Sequence, residues 1–183
     1  MFPDLLRRAK RAHRVRRALK EIALRDFSPR PHGLKDPLIV SVTSYPPRFA
    51  QLSHTLRGLL RQTVGADHTI LWVAPQDSAA LPAEVLDLQD HGLTIATDPA
   101  WRSYRKIIPA LRARPDHVIV TADDDVYYWP TWLEELVTAR AETQAQVICH
   151  RADRMVLGAD GAPLAYDDWE RPMRKAGQSP LVL

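Results

Sequence analysis

From residue 38 onward, short apolar runs alternate with segments whose apolar residues recur every three or four positions. The runs are LIVSV at 38–42, TILWV at 69–73, a shorter one at 93–96, HVIVT at 117–121 and a last one at 147–149. An unbroken run of this length reads as a strand buried on both faces. The segments between them have helical spacing. Leu52, Leu56, Leu59 and Leu60 line one face of 48–62, and Leu81-Pro82 opens a short helix over 83–89. A helix over 104–112 is expected with a break near Pro109, and Pro130-Thr131 introduces another over 132–140. Strands alternating with helices predict an α/β fold: a mostly parallel, doubly wound sheet with helices on both faces. Beyond it, 155–157 and 163–166 flank the turn Gly158-Ala159-Asp160-Gly161 and predict a hairpin.

The chain begins differently. Leu5, Ala9, Ala12, Val15, Leu19 and Ile22 keep helical spacing over residues 1–27, and basic residues fill much of the rest. Residues 28–37 (SPRPHGLKDP) are dense in proline and turn formers and read as a linker to a domain over 38–183. The first 30 residues hold ten Lys or Arg against three acids, whereas the remainder holds fifteen against nineteen. The high isoelectric point, about 9.2, therefore belongs to the leading helix, and the body is mildly acidic. That argues against nucleic acid as the partner. The leading helix fits peripheral contact with an anionic membrane face. It equally fits packing on its own domain or on a partner. No run of eighteen apolar residues predicts a membrane span, and a single cysteine, Cys149, excludes an internal disulfide framework.

The stretch richest in chemistry is VIVTADDDVYYWPTWLEEL, where the most apolar run ends in Asp123, Asp124 and Asp125. Ligands of α/β sheets sit at the carboxyl ends of strands. In extended backbone Asp123 and Asp125 share a side. Three adjacent carboxylates repel one another and call for a compensating cation. Hard oxygen ligands suit Mg2+ or Mn2+, which also bind substrate phosphates.

TADDDV resembles the metal-binding Asp-x-Asp motif of GT-A-fold glycosyltransferases. SVTSYPPR at 41–48 and LLRQTV at 59–64 are similar to the first strand–helix unit of family-2-like members. Together with RSYRKIIPAL and ICHRA they resemble a bacterial polysaccharide-type group, over most of residues 38–170. The resemblance implies a Rossmann-like GT-A nucleotide-diphospho-sugar transferase fold. The implied activity is transfer of a sugar from a UDP- or GDP-linked donor to a saccharide or lipid-linked acceptor, with Mn2+ or Mg2+. It places Thr43, Ser44, Tyr45 and Arg48 on the nucleotide, where Tyr45 is able to stack on a base and Arg48 to pair with phosphate. Asp77, in VAPQDS, is the candidate for reading the nucleobase. The segment Arg102, Ser103, Tyr104, Arg105, Lys106 corresponds to residues lining the donor sugar and diphosphate, where basic groups offset charge on the diphosphate, and Ser103 and Lys106 are the candidate contacts. Asp125 is implied as a direct metal ligand, and Asp123 touches ribose, sugar or metal. Asp124 belongs to the same motif, since the triplet allows two alignments. The ion stabilises the departing nucleoside diphosphate.

An inverting transferase needs a carboxylate base near the acceptor hydroxyl, and Asp167 and Asp168 are the candidates, with Glu170 beside them. Trp169 offers a face to a sugar ring or packs a core, and His150 is a structural histidine or an aid to metal or acceptor binding. Trp129 and Trp132 are expected to pack the helix after the triplet. Members of the family continue well past this point, so the expectation is an incomplete acceptor part. Nucleotide-sugars are chiefly cytosolic and no export signal is seen, which predicts a cytoplasmic protein at or near the inner membrane face. Two rivals stand beside this reading. In a haloacid-dehalogenase-like phosphohydrolase, Asp123-Asp124-Asp125-Val126 is the nucleophile motif and Asp167-Asp168 completes the Mg2+ site, although that motif normally lies on the first strand. The other rival is a non-catalytic GT-A-like binding module.

Overall fold

The computed structural model describes residues 2–99, 101–143 and 145–170. Its elements run α1 (Phe2–Leu24), β1 (Arg30–Pro31), β2 (Leu38–Thr43), α2 (Phe49–Leu60), β3 (Val64–Gly65), β4 (His68–Val73), α3 (Ala83–Leu86), β5 (Leu93–Thr97), α4 (Ile108–Ala113), β6 (Val118–Ala122) and α5 (Trp132–Glu142). The chain divides into a unit up to Val137 and a second from Thr138.

The first unit is an α/β layer structure around a four-stranded parallel sheet of order β5-β4-β2-β6. In chain order of these strands that is 3-2-1-4, the half of a doubly wound sheet in which the winding reverses between β2 and β6. The register sets Thr43 beside Trp72 and Val42 beside Ala122, so the loops after β2 and β6 leave the sheet side by side.

Alternation along β2 explains its unbroken apolar sequence. Leu38, Val40 and Val42 join Leu71 and Val73 on one face, beneath Leu52, Leu56 and Leu59 of α2 and Val85 of α3. Ile39 points the other way, with Ile70, Trp72 and Ala110 of α4. Helices thus cover both faces. Ser41 shares the second face and is satisfied there, because Trp72 Nε1 donates to its hydroxyl at 3.0 Å.

The helical segment is broken near Pro109, as expected: a 3-10 stretch, Arg102–Lys106, ends at Ile107, and α4 begins at Ile108 with Pro109 in its first turn, where a missing N–H costs nothing. One expectation needs correction. Residues 147–149 form no strand: Val147 is 81% exposed, and the segment lies in the second unit. Three apolar residues without a partner to cover them are too few to hold a ladder. The hairpin exists as an antiparallel bridge between Leu157 and Pro163, closed by Leu164 N donating to Val156 O at 2.9 Å.

Residues 28–37 are fastened to the domain. β1 pairs in parallel with β3, and Gly65 lets the strands approach, since a Cβ there would lie 2.8 Å from Pro29 Cγ. Asp67 Oδ2 accepts the Leu38 N–H at 2.7 Å and binds His32 Nε2 at 2.9 Å. The Leu38 hydrogen bond, with His32 adding to it, holds the Asp67 carboxyl below its ordinary range. A depressed carboxyl stabilises the fold above the unfolded group's range, and that contribution drains away as pH falls through the folded value. The urea midpoint of wild type should therefore exceed that of Asp67→Ala at neutral pH, and the gap should close in acid.

The last turn of α1 packs on α2 through Ile22, which is buried. Arg61 Nη1 donates to Ile22 O at 2.7 Å and Ala23 O at 3.3 Å, adding to the Arg25 N–H on Ile22 O at 3.3 Å and so capping the carbonyls at the helix end. Among the described residues no helix is long and apolar enough to cross a membrane.

Candidate functional site

A cleft of about 660 Å³ opens where β2 and β6 part, at the carboxyl ends of the strands. Thr43, Ser44, Tyr45 and Arg48 line it from the turn after β2, Asp77 from the turn after β4, and Ser103 and Lys106 from the 3-10 stretch before α4. Asp123, Asp124 and Asp125 close it from β6. Thr43, Ser44, Tyr45, Arg48, Asp77, Ser103, Lys106 and the three aspartates are thus brought to one cleft, whereas Tyr104 does not line it.

The turn after β2 is set by Pro46-Pro47, which fix the 3-10 stretch Pro46–Arg48 and turn Arg48 back over the sheet end. Thr43 Oγ1 donates to Trp72 O at 2.9 Å, locking this turn to β4. The three carboxylates have different surroundings. Asp124 turns inward and accepts from Ser44 Oγ at 2.7 Å, while its carbonyl accepts from Thr55 Oγ1 at 3.0 Å. It joins the loop to β2 and α2. Asp125 pairs with Arg48, which also lies 3.8 Å from Asp124. Asp123 pairs with Lys106 at 2.6 Å. The repulsion within the triplet is thus offset by two cations of the same cleft. Arg48 holds its proton more tightly than a free guanidinium, chiefly through the hydrogen bond to Asp125 and then through Tyr45. Tyr128 is buried, which pushes its phenol up; its hydroxyl accepts the Asp123 N–H at 2.7 Å and anchors the loop from below.

Among the described residues no three His, Cys, Asp or Glu side chains gather into a ready metal-binding group. The donor chemistry nevertheless fits a hard divalent ion. Asp123 and Asp125 are open to solvent at the cleft, and each commits one named oxygen, Oδ1 and Oδ2, to its cation. Mg2+ and Mn2+ commonly take one or two carboxylates and complete their shell with water and substrate phosphate.

The sequence reading did not single out Arg105, although it lines the same cleft. It is 8% exposed, and its Nε is buried without a hydrogen-bond partner among the described residues. A buried guanidinium donor left unpaired costs about 1–3 kcal/mol, so it is poised to receive an anion. The resemblance puts it in the segment lining the diphosphate without choosing it, and spacing of three places Arg102 and Arg105 on one side of the 3-10 stretch. Trp101 and Arg102 lead into that stretch with φ of 75° and 42°. Such left-handed conformations in non-glycine residues cost roughly 1–3 kcal/mol each and concentrate at binding sites. Tyr104 points away and is exposed.

Asp167 and Asp168 lie in the second unit, in the exposed 3-10 turn Tyr166–Asp168. There Tyr166 donates to Asp153 at 2.9 Å, and Trp169 Nε1 donates to Leu164 O at 3.0 Å with its ring edge-on to Tyr166. Glu170 pairs with Arg154 at 3.3 Å, and His150 is exposed. In the first unit, Trp132 is buried against Tyr128 with ring centroids 4.4 Å apart, and Trp129 donates to Glu135 at 2.8 Å.

No protein-family model matches this chain, and comparison with curated proteins finds no match.

Proposed function

We propose that the cleft binds a nucleoside-diphosphate sugar and that the chain is a GT-A-like glycosyltransferase domain acting on a saccharide or lipid-linked acceptor. The observation that supports this most is the gathering of an acidic triplet, the bases Arg48, Arg105 and Lys106, and the aromatic Tyr45 at the switch point of a parallel sheet. A diphosphate would bring a negative charge to Arg105, whose Nε has no hydrogen-bond partner among the described residues. A base brings a flat face for Tyr45, which is half-exposed at the cleft. Asp123 and Asp125 would hold Mg2+ or Mn2+, which supplies positive charge to the leaving diphosphate. Arg48 and Lys106 sit on those same carboxylates and keep the cleft's net charge low when no anion is bound.

Calorimetric titration with UDP, GDP and their sugars, with Mn2+ and with EDTA, tests the reading. Wild type should bind one nucleotide series more tightly with the metal. Arg105→Ala should weaken diphosphate binding by about tenfold or more in either condition, with partial recovery in Arg105→Lys. A folded wild type that binds no nucleoside diphosphate sinks the proposal.

A further inference from the structure

A second cleft, of about 750 Å³, runs between α1 and α2 and shares no lining residue with the first. Its floor is apolar, with Leu19 and Ile22 from α1 and Phe49 and Ala50 from α2. Its rim is basic. His54, Arg57 and Arg61 recur at helical spacing along α2, and Lys20 faces them from α1, with Glu84 the one carboxylate in the lining. Arg61 is held by the carbonyls of Ile22 and Ala23 and lies 4.1 Å over the Phe27 ring, yet its Nε is buried without a hydrogen-bond partner among the described residues. Burial, and then the charges of Arg57 and Arg25, make Arg61 a weaker base than a free guanidinium. The rim is therefore a concentration of positive charge that the cleft itself does not neutralise. It continues along α1, where Arg7, Lys10, Arg14, Arg16, Arg17 and Lys20 are exposed.

We infer that this cleft and the basic side of α1 form a docking surface for an anionic phospholipid membrane, with a headgroup phosphate seated among Lys20, Arg57 and Arg61. The chemistry favours lipid over nucleic acid. The basic rim stands on an apolar floor, as the boundary between headgroups and acyl chains requires, and Leu24 is exposed at the same end of α1. The body of the chain, by contrast, is acidic. This inference stands whether or not the first cleft binds a nucleotide-sugar.

The test is co-sedimentation of the full chain with vesicles of phosphatidylcholine alone and with about one third phosphatidylglycerol. Binding should require the anionic lipid and fall with added salt. The double change Lys20→Glu/Arg57→Glu should reduce partitioning by more than about tenfold. Lys20→Gln/Arg57→Gln, a milder change checked by circular dichroism, should give an intermediate loss. Three results would overturn the inference. One is equal or no binding to both vesicles. Another is loss on Arg14→Glu/Arg17→Glu with no effect of the cleft variants. The third is saturation of the cleft by inorganic phosphate or by duplex RNA at concentrations where anionic vesicles do not bind.

Discussion

Replacing Asp125 by alanine should have opposite effects with and without metal. In Mn2+ the variant should bind nucleoside diphosphate at least about a hundredfold more weakly than wild type, because one of the two proposed carboxylate ligands is gone. In EDTA it should bind pyrophosphate about fivefold more tightly. The charge arithmetic is simple. Asp125 places a negative charge at the cleft and engages Arg48. Its removal takes away a repulsion toward the incoming anion and frees a guanidinium to meet it. Calorimetry in the two buffers measures both effects. A purely structural role for Asp125 predicts weaker binding in both, and an anion site that uses no metal predicts tighter binding in both. Only the crossed result fits the proposal. The matching change at Asp123 should behave alike through Lys106, whereas Asp124→Ala should act on stability, because Asp124 is turned inward to Ser44.

The strands were legible because burial on both faces leaves a dense, unambiguous signal. Leu38, Ile39, Val40 and Val42 are all essentially without exposure, and no other element tolerates so many apolar residues in succession. The position of the triplet was legible for the same reason: the chain leaves the sheet where the apolar run ends. The partners of the triplet were not. Arg48, 77 residues before Asp125 in the chain, meets it only because β2 and β6 are neighbours, and that adjacency comes from strand order, which periodicity does not encode. Arg105 was obscured by its surroundings. Five consecutive polar and aromatic residues, 102–106, look alike in sequence, and only the left-handed turn at Trp101 and Arg102 decides which of them is buried. After residue 137 the sequence carries a weaker signal, since a run as short as 147–149 has too little apolar area to fix a strand.

The largest loss of stability from a polar substitution should come from Gln62→Leu. Gln62 follows α2 and is 5% exposed, an uncommon place for an amide. Its Nε2 donates to Gly58 O at 2.7 Å and to Trp129 O at 3.0 Å, and its Oε1 accepts the Leu133 N–H at 3.0 Å. That N–H belongs to the first turn of α5 and has no partner within the helix. One side chain thus ends α2, starts α5 and fixes the loop that carries the triplet between them. Leucine fills a similar volume but leaves the Leu133 N–H without its acceptor, and it removes one of two hydrogen bonds to the Trp129 carbonyl, which keeps the Trp132 N–H at 3.2 Å. At about 1–3 kcal/mol for the orphaned donor and roughly 1 kcal/mol for the lost donations, the expected cost is about 3 kcal/mol. Urea denaturation should show a lower midpoint with an unchanged slope, as for a pure loss of stability. Gln62→Glu separates the two halves of the argument, because it keeps the acceptor for Leu133 and removes both donations. Its cost should exceed that of lost hydrogen bonds alone, since a carboxylate there would face two buried carbonyl oxygens. Should Gln62→Leu prove neutral, the amide is not what couples the two helices, and the loop is held by its other contacts, among them Tyr128, Asp124 and the Thr63 N–H donated to Pro130 O at 2.9 Å.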